Sequence, residues 1–222
     1  MRLERRDRLG NGGRPLLLVV MDGVGLAPPG EGNAVTRAFT PTLDRIRASC
    51  PWTGLAAHGP AVGLPTEGDM GNSEVGHNAL GAGRVFAQGA KLVNQAIAGG
   101  ELFTGPVWRE LMARAESGGT LHFLGLLSDG NVHSHIDHLI ALLRRAAEEG
   151  ARRVRVHVLL DGRDVPETSS PLYVARLEEV LAGLNRGDRD YRIASGGGRM
   201  VITMDRYRAD WDMVAKGWAT HV

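Results

Sequence analysis

The chain has 222 residues, of which 43% are hydrophobic and 23% charged, and its formal net charge is +1. Such a composition builds an ordinary hydrophobic core and excludes wholesale disorder. The near balance of charge excludes a global field that would draw the chain to nucleic acid or a membrane, so anion binding must come from local clusters.

Residues 1–15 are charged, lack an apolar run and are read as a tail rather than a secretory signal. Leu16-Leu-Leu-Val-Val-Met21 is continuously apolar, too short to span a bilayer, and predicts a strand buried on both faces. It runs into Asp22-Gly23. Thr40-Pro41 opens a helix through Ser49. The lone Cys50 excludes a disulfide framework or thiolate metal site, fits a reducing cytosol, and is read as a small buried hydrophobe. Residues 59–71 form a Gly- and Pro-rich loop, with a helix starting near Ser73 and another over 84–103. Residues 121–127 predict a strand. An amphipathic helix follows over 134–149, with Ile136, Leu139, Ile140 and Leu143 on one face, a Ser134/Asp137 capping box and Gly150 as its stop. Residues 154–160 predict a strand, 171–184 a helix with Leu177 and Leu181 inward, and 192–194 a short strand. His122 and His157, inside strands, read as satisfied core residues. Arg144, Arg145, Glu148 and Glu149 read as a solvated helix face. Strands alternating with helices predict α/β architecture with a parallel sheet.

The polar residues concentrate where strands end. Residues 16–21 lead to Asp22, residues 121–127 to Ser128-Asp-Gly-Asn-Val-His-Ser-His135, residues 154–160 to Asp161-Gly-Arg-Asp164, and the last strand to Ser195-Gly-Gly-Gly-Arg199. Open α/β sheets bind ligands at the carboxyl ends of their strands. Ser73 stands at the start of a helix, where free N–H groups and the dipole favour phosphate. A serine hydroxyl needs a base or a metal to become a nucleophile, and by local physics alone the stronger reading is that Ser73 or Asn72 is only a helix cap.

The segment Met70-Gly-Asn-Ser-Glu-Val-Gly-His-Asn-Ala-Leu-Gly-Ala-Gly-Arg84 resembles the phosphoserine motif of the cofactor-independent phosphoglycerate mutases. Met21-Asp-Gly23, Gly63-Leu-Pro65, Asn131-Val-His-Ser-His-Ile-Asp-His138, Leu160-Asp-Gly-Arg-Asp164 and Met204-Asp-Arg206 follow the same family's order, and Ile193-Ala-Ser-Gly-Gly-Gly-Arg-Met200 looks closest to its plant-like branch. The resemblance implies an α/β chain with the N-terminal part of an alkaline-phosphatase-like metal-binding domain over 16–84, followed by an incomplete mixed α/β phosphotransferase domain over 85–222. It implies interconversion of 3-phosphoglycerate and 2-phosphoglycerate in glycolysis and gluconeogenesis, through a phosphoserine and without 2,3-bisphosphoglycerate. The enzyme it implies is cytoplasmic and monomeric, with no nucleic-acid or membrane partner. Carried over residue by residue, Ser73 is the nucleophile; Asp22 and Ser73 are ligands of one of two Mn2+ ions; and His133, Arg163, Asp164, Arg199 and Arg206 contact substrate. Arginine suits that task because its fork grips phosphate and carboxylate oxygens in pairs.

Family members are much longer and supply further Asp and His ligands near their C-terminus. The expectation is therefore that this polypeptide alone is nearly inactive and that its first roughly 80 residues pack poorly for want of sheet partners. Competing readings are another phosphatase or phosphomutase of the alkaline phosphatase superfamily and a non-catalytic truncated product.

Overall fold

The computed structural model describes residues 17–203, 208 and 210–222. The chain divides into two compact units, with the boundary between Leu55 and Ala56; the expected tail over 1–15 lies outside the described residues.

In the first unit, α1 (Ala34–Arg37) is capped by the Asn33 side chain, which accepts from the Thr36 N–H at 3.2 Å. The helix α2 (Pro41–Ser49) begins at Pro41 as predicted, because proline needs no N–H partner in a first turn. The expected strand over 16–21 does not form in its described part: residues 17–21 are non-regular, and Leu17 and Leu18 are 83% and 76% exposed. A strand exists only through a ladder, and no strand is described within this unit to supply one. Cys50, expected to be buried, is exposed, since the described residues of this unit include no buried hydrophobic side chain.

The second unit opens with a 3-10 turn (Gly59–Val62) and α3 (Ser73–Ala82). The predicted helix over 84–103 is broken into α4 (Gly89–Ala98) and α5 (Glu101–Thr104). The break falls at Gly99-Gly100, where Gly100 adopts φ +76°, a conformation only glycine takes freely. The helix α6 (Pro106–Glu116) precedes the sheet. Three parallel strands then run in the order β1 (Thr120–Leu127), β2 (Arg153–Leu160), β3 (Asp190–Gly198), joined by α7 (Ile136–Glu148) and α8 (Ser170–Leu184). Short α9 (Arg199–Ile202) and α10 (Trp211–His221) follow. The strand β3 is longer than predicted and includes Ser195–Gly198, because glycines without side chains still pair with 157–160 through their backbone.

Alternation places Leu121, Val154, Val156, Val158 and Tyr191 on the sheet face that α7 and α8 cover with Ile136, Ile140, Leu143, Leu177 and Leu181. Leu143 and Leu177 are fully buried. The start of α7 differs from the predicted capping box. His135 Nδ1 accepts from the Asp137 N–H at 3.2 Å, while Ser134 Oγ donates to the Leu126 carbonyl at 2.6 Å. Gly150 ends α7 as predicted, at φ +88°, with the Ala151 N–H reaching back to the Ala146 carbonyl at 2.9 Å. The helix face read as solvated is partly engaged, since Trp108 Nε1 donates to Glu149 Oε2 at 2.9 Å and Arg145 lies over the Phe103 ring.

His122 and His157 are not core residues. They project from the opposite sheet face, where His122 Nδ1 and His157 Nε2 share a hydrogen bond of 2.9 Å. His157 Nδ1 lies 2.7 Å from Ser195 Oγ, which meets His221 Nδ1 of α10 at 2.8 Å. Burial, then the neighbouring His122 and His221, hold the His157 imidazole below its ordinary value.

Candidate active site

Ser73 is the first residue of α3, and the cap is Asn72, whose side-chain oxygen accepts from the Val75 N–H at 3.1 Å. Ser73 thus stands in the first turn, at the positive end of a ten-residue helix whose cap is Asn72. Beneath it lies a small core of Val62, Leu64 and Val75. Buried Gln88 ties this core together, its Nε2 donating to the Val62 carbonyl at 2.9 Å and the Val75 carbonyl at 3.1 Å. Gly71 brings the loop so close to the Ala57 carbonyl that a Cβ there would overlap it. His77 Nδ1 returns to the Ser73 carbonyl at 2.5 Å.

The carboxyl ends of the three strands converge on Asp161, which is 6% exposed. Its Oδ1 accepts from the backbone N–H groups of Arg163 and Asp164, each at 3.1 Å, and from Arg199 Nη1 at 2.8 Å. Its Oδ2 accepts from Ser128 Oγ at 2.6 Å. Burial pushes this carboxyl up, but the bonds from Ser128, the two amides and Arg199 outweigh it and hold it below the usual aspartate range. Arg199 also pairs with Asp164 Oδ2 at 2.6 Å and is almost wholly buried, while His133 Nε2 lies 3.9 Å from that same oxygen. Gly130 is needed beside this cluster, since a Cβ would come within 3.0 Å of the Asp164 carbonyl.

Next to the cluster opens a cavity of about 740 Å³, lined by the loop 65–70, the β1–α7 loop and the β2–α8 loop, together with Asn94, Asp137 and Tyr173. Its carboxylates are engaged. Asp69 accepts from Thr66 N and Oγ1 at 2.6 and 2.8 Å and from Asn131 Nδ2. Asp129 accepts from Tyr173 OH at 2.6 Å, Asp137 pairs with Arg176, and Asp164 with Arg199. Burial raises Asp69, but the bonds from Asn131 and Thr66 prevail and leave it lowered. The Asp69–Asn131 bond joins the loop leading to Ser73 with the loop leading to His133, and Asn131 takes a left-handed φ of +60° to make it. Arg163 is exposed and brings its cationic guanidinium to the lining.

Of the expected site residues, Arg163 and Asp164 line the cavity, and His133 and Arg199 meet them through Asp164. Ser73 stands three residues beyond Met70 of the lining and is not itself part of it. Asp22 lies in a turn of the first unit, beside Gly23 at φ +76°. Arg206 lies outside the described residues. Sequence reasoning missed Asp69, Asn131, Asp161 and Ser128. The signal for the last two was their shared place, directly after adjacent parallel strands. Among the described residues, no group of three or more His, Cys, Asp or Glu side chains could hold a metal ion, and no helix is long and apolar enough to cross a membrane.

Parallel strands joined by helices, with polar loops gathered at the strands' carboxyl ends, define an α/β domain of the kind that binds ligands at that edge. Residues 93–222 match the family model described as "BPG-independent PGAM N-terminus". The chain belongs to this family, the N-terminal region of the 2,3-bisphosphoglycerate-independent phosphoglycerate mutases. It is 54% identical over 212 residues to a probable enzyme of that name from Leptospira interrogans, and 51% identical over 212 residues to one from Arabidopsis thaliana. These matches cover 94% and 95% of this chain but 39% and 38% of the relatives, so the chain spans well under half their length. A solved structure of Leishmania mexicana phosphoglycerate mutase, determined at low cobalt concentration, superimposes with a TM-score of 0.80 at 53% identity, over 90% of this chain and 37% of that one.

Proposed function

We propose that this chain is the part of a phosphoglycerate mutase that carries the phosphoryl-accepting serine and half of the substrate site. Ser73 takes the phosphoryl group from one hydroxyl of a phosphoglycerate and returns it to the other, interconverting 3-phosphoglycerate and 2-phosphoglycerate in cytoplasmic glycolysis and gluconeogenesis. The observation that carries the reading is the placement of Ser73 at the first position of α3, with Asn72 taking over the capping. There the helix dipole and first-turn N–H groups favour the charge of a phosphoserine. Arg163 and His133 hold the anion, with Asp164 beside them and Arg199 and Arg206 as further substrate arginines. Transfer of this kind depends mainly on positioning and charge neutralisation.

The resemblance assigns two Mn2+ ions to the complete enzyme, with Asp22 and Ser73 as ligands of one. Oxygen donors suit such an ion, but two are fewer than it requires, and no metal-binding group gathers among the described residues. These residues by themselves do not make a complete ion site. A monomer is the proposed solution state, to be read by size-exclusion chromatography with light scattering.

The test joins this chain to the C-terminal segment of the Leptospira relative and follows 2-phosphoglycerate formation. Turnover is expected, and Ser73→Ala is expected to lower it by about a thousandfold or more, as loss of a covalent nucleophile does. Undiminished turnover in that variant refutes the assignment.

A further inference from the structure

We propose that Asp161, buttressed by Ser128, is the positioning residue that sets Arg163, Asp164 and Arg199 for the phosphorylated ligand. The proposal rests on reading those three as substrate contacts. Three adjacent strands end in one hydrogen-bonded knot, with Ser128 directly after β1, Asp161 directly after β2 and Arg199 directly after β3. One carboxylate serves all three ends. Oδ1 holds the backbone N–H groups of Arg163 and Asp164, which fixes where their side chains leave the loop, and the same oxygen holds the Arg199 guanidinium.

A carboxylate this deeply buried stays charged only when it is hydrogen-bonded and paired, and here the Ser128 hydroxyl supplies the bond to Oδ2. Ser128 is itself locked, being 1% exposed, with its oxygen also accepting from the Gly130 N–H at 3.0 Å. The knot therefore links the β1–α7 loop, which carries His133, to the β2–α8 loop, which carries Arg163. Arg199 Nε is buried and has no hydrogen-bond partner among the described residues, so its fork is held in place without being saturated. Asp161 is thereby assigned a positioning role, acting through the residues it fixes rather than by contact of its own.

Titrating the 222-residue chain with 3-phosphoglycerate, by amide chemical shifts and calorimetry, tests this. Wild type is expected to bind saturably. Asp161→Asn, which keeps shape and removes charge, is expected to bind about tenfold more weakly, and its Arg163 and Asp164 amide protons to move upfield. Ser128→Ala is expected to lose about threefold, and Ser128→Thr, which restores the hydroxyl, to recover it. Asp161→Asn binding as tightly as wild type, while Arg163→Ala binds weakly, overturns the positioning role and leaves the site standing. Absence of saturable binding by wild type, or tight binding by Arg163→Ala, overturns the site and the proposal with it. If Asp161→Asn does not fold, the serine pair decides: equal affinity for the Ala and Thr variants overturns the proposal.

Discussion

Replacing Arg199 by Met is the sharpest perturbation of this fold. The side chain is almost wholly buried, and its Nη1 meets Asp161 Oδ1 at 2.8 Å and Asp164 Oδ2 at 2.6 Å. Methionine fills much of the volume but leaves two carboxylates facing a space that has lost its cation. Removing one partner of a buried ion pair costs about 3–5 kcal/mol. Asp161 keeps Ser128 and two amides, whereas Asp164 keeps only the 3.9 Å approach of His133 among its described ion-pair partners, so the lower end, about 3 kcal/mol, is expected. With a urea dependence of about 1–3 kcal/mol per molar, the unfolding midpoint should fall by roughly 1–3 M. Urea titration followed by far-UV circular dichroism measures this at pH 7. The gap should narrow in acid. Asp161 is depressed in the folded state, so its contribution is complete above the ordinary value of 3.8 and is lost as pH falls through the lower folded value. A midpoint shift below about 0.5 M at pH 7 with an unchanged slope would show that the guanidinium is not what holds these carboxylates.

His157 has a folded-state affinity for protons below the usual 6.5, so the unfolded chain takes up its proton first. Stability should therefore decline as pH falls through 6.5 and level off below the folded value, and a His157→Gln variant should show a flatter dependence of Tm on pH between 7.5 and 5.5. Gly71→Ala forces a Cβ onto the Ala57 carbonyl, and overpacking of that kind costs about 1–3 kcal/mol. Amide hydrogen exchange should locate the loss in residues 57–75; protection equal to wild type there would refute the close approach.

Much of the second unit was legible in the sequence because its side chains repeat with a clear period. Ile136, Ile140 and Leu143 mark α7, Leu177 and Leu181 mark α8, and Val154, Val156 and Val158 mark β2, each on the face the structure buries. The breaks were legible where glycine announces them, at Gly150, but not where two adjacent glycines split a predicted helix into α4 and α5. The strand β3 was underread because Gly196–Gly198 carry no side chains and declare themselves only by pairing.

By itself, the sequence determined the alternation of strands and helices in the second unit, the C-terminal stop of α7 and the span of α8, that a helix begins at Ser73, and which loops carry His133, Arg163 and Asp164, because periodicity, capping and motif spacing are local properties. Tertiary structure alone decided that residues 17–21 are non-regular and exposed, and that His122 and His157 meet on the sheet face opposite the main core, where Ser195 links His157 to His221 of α10. It alone placed Arg199 in a buried knot with Asp161 and Asp164, and linked Asp69 to Asn131. Each of these depends on groups distant in the chain arriving within hydrogen-bonding reach, and hydrogen bonds and burial act over a few ångströms of space, regardless of separation along the sequence.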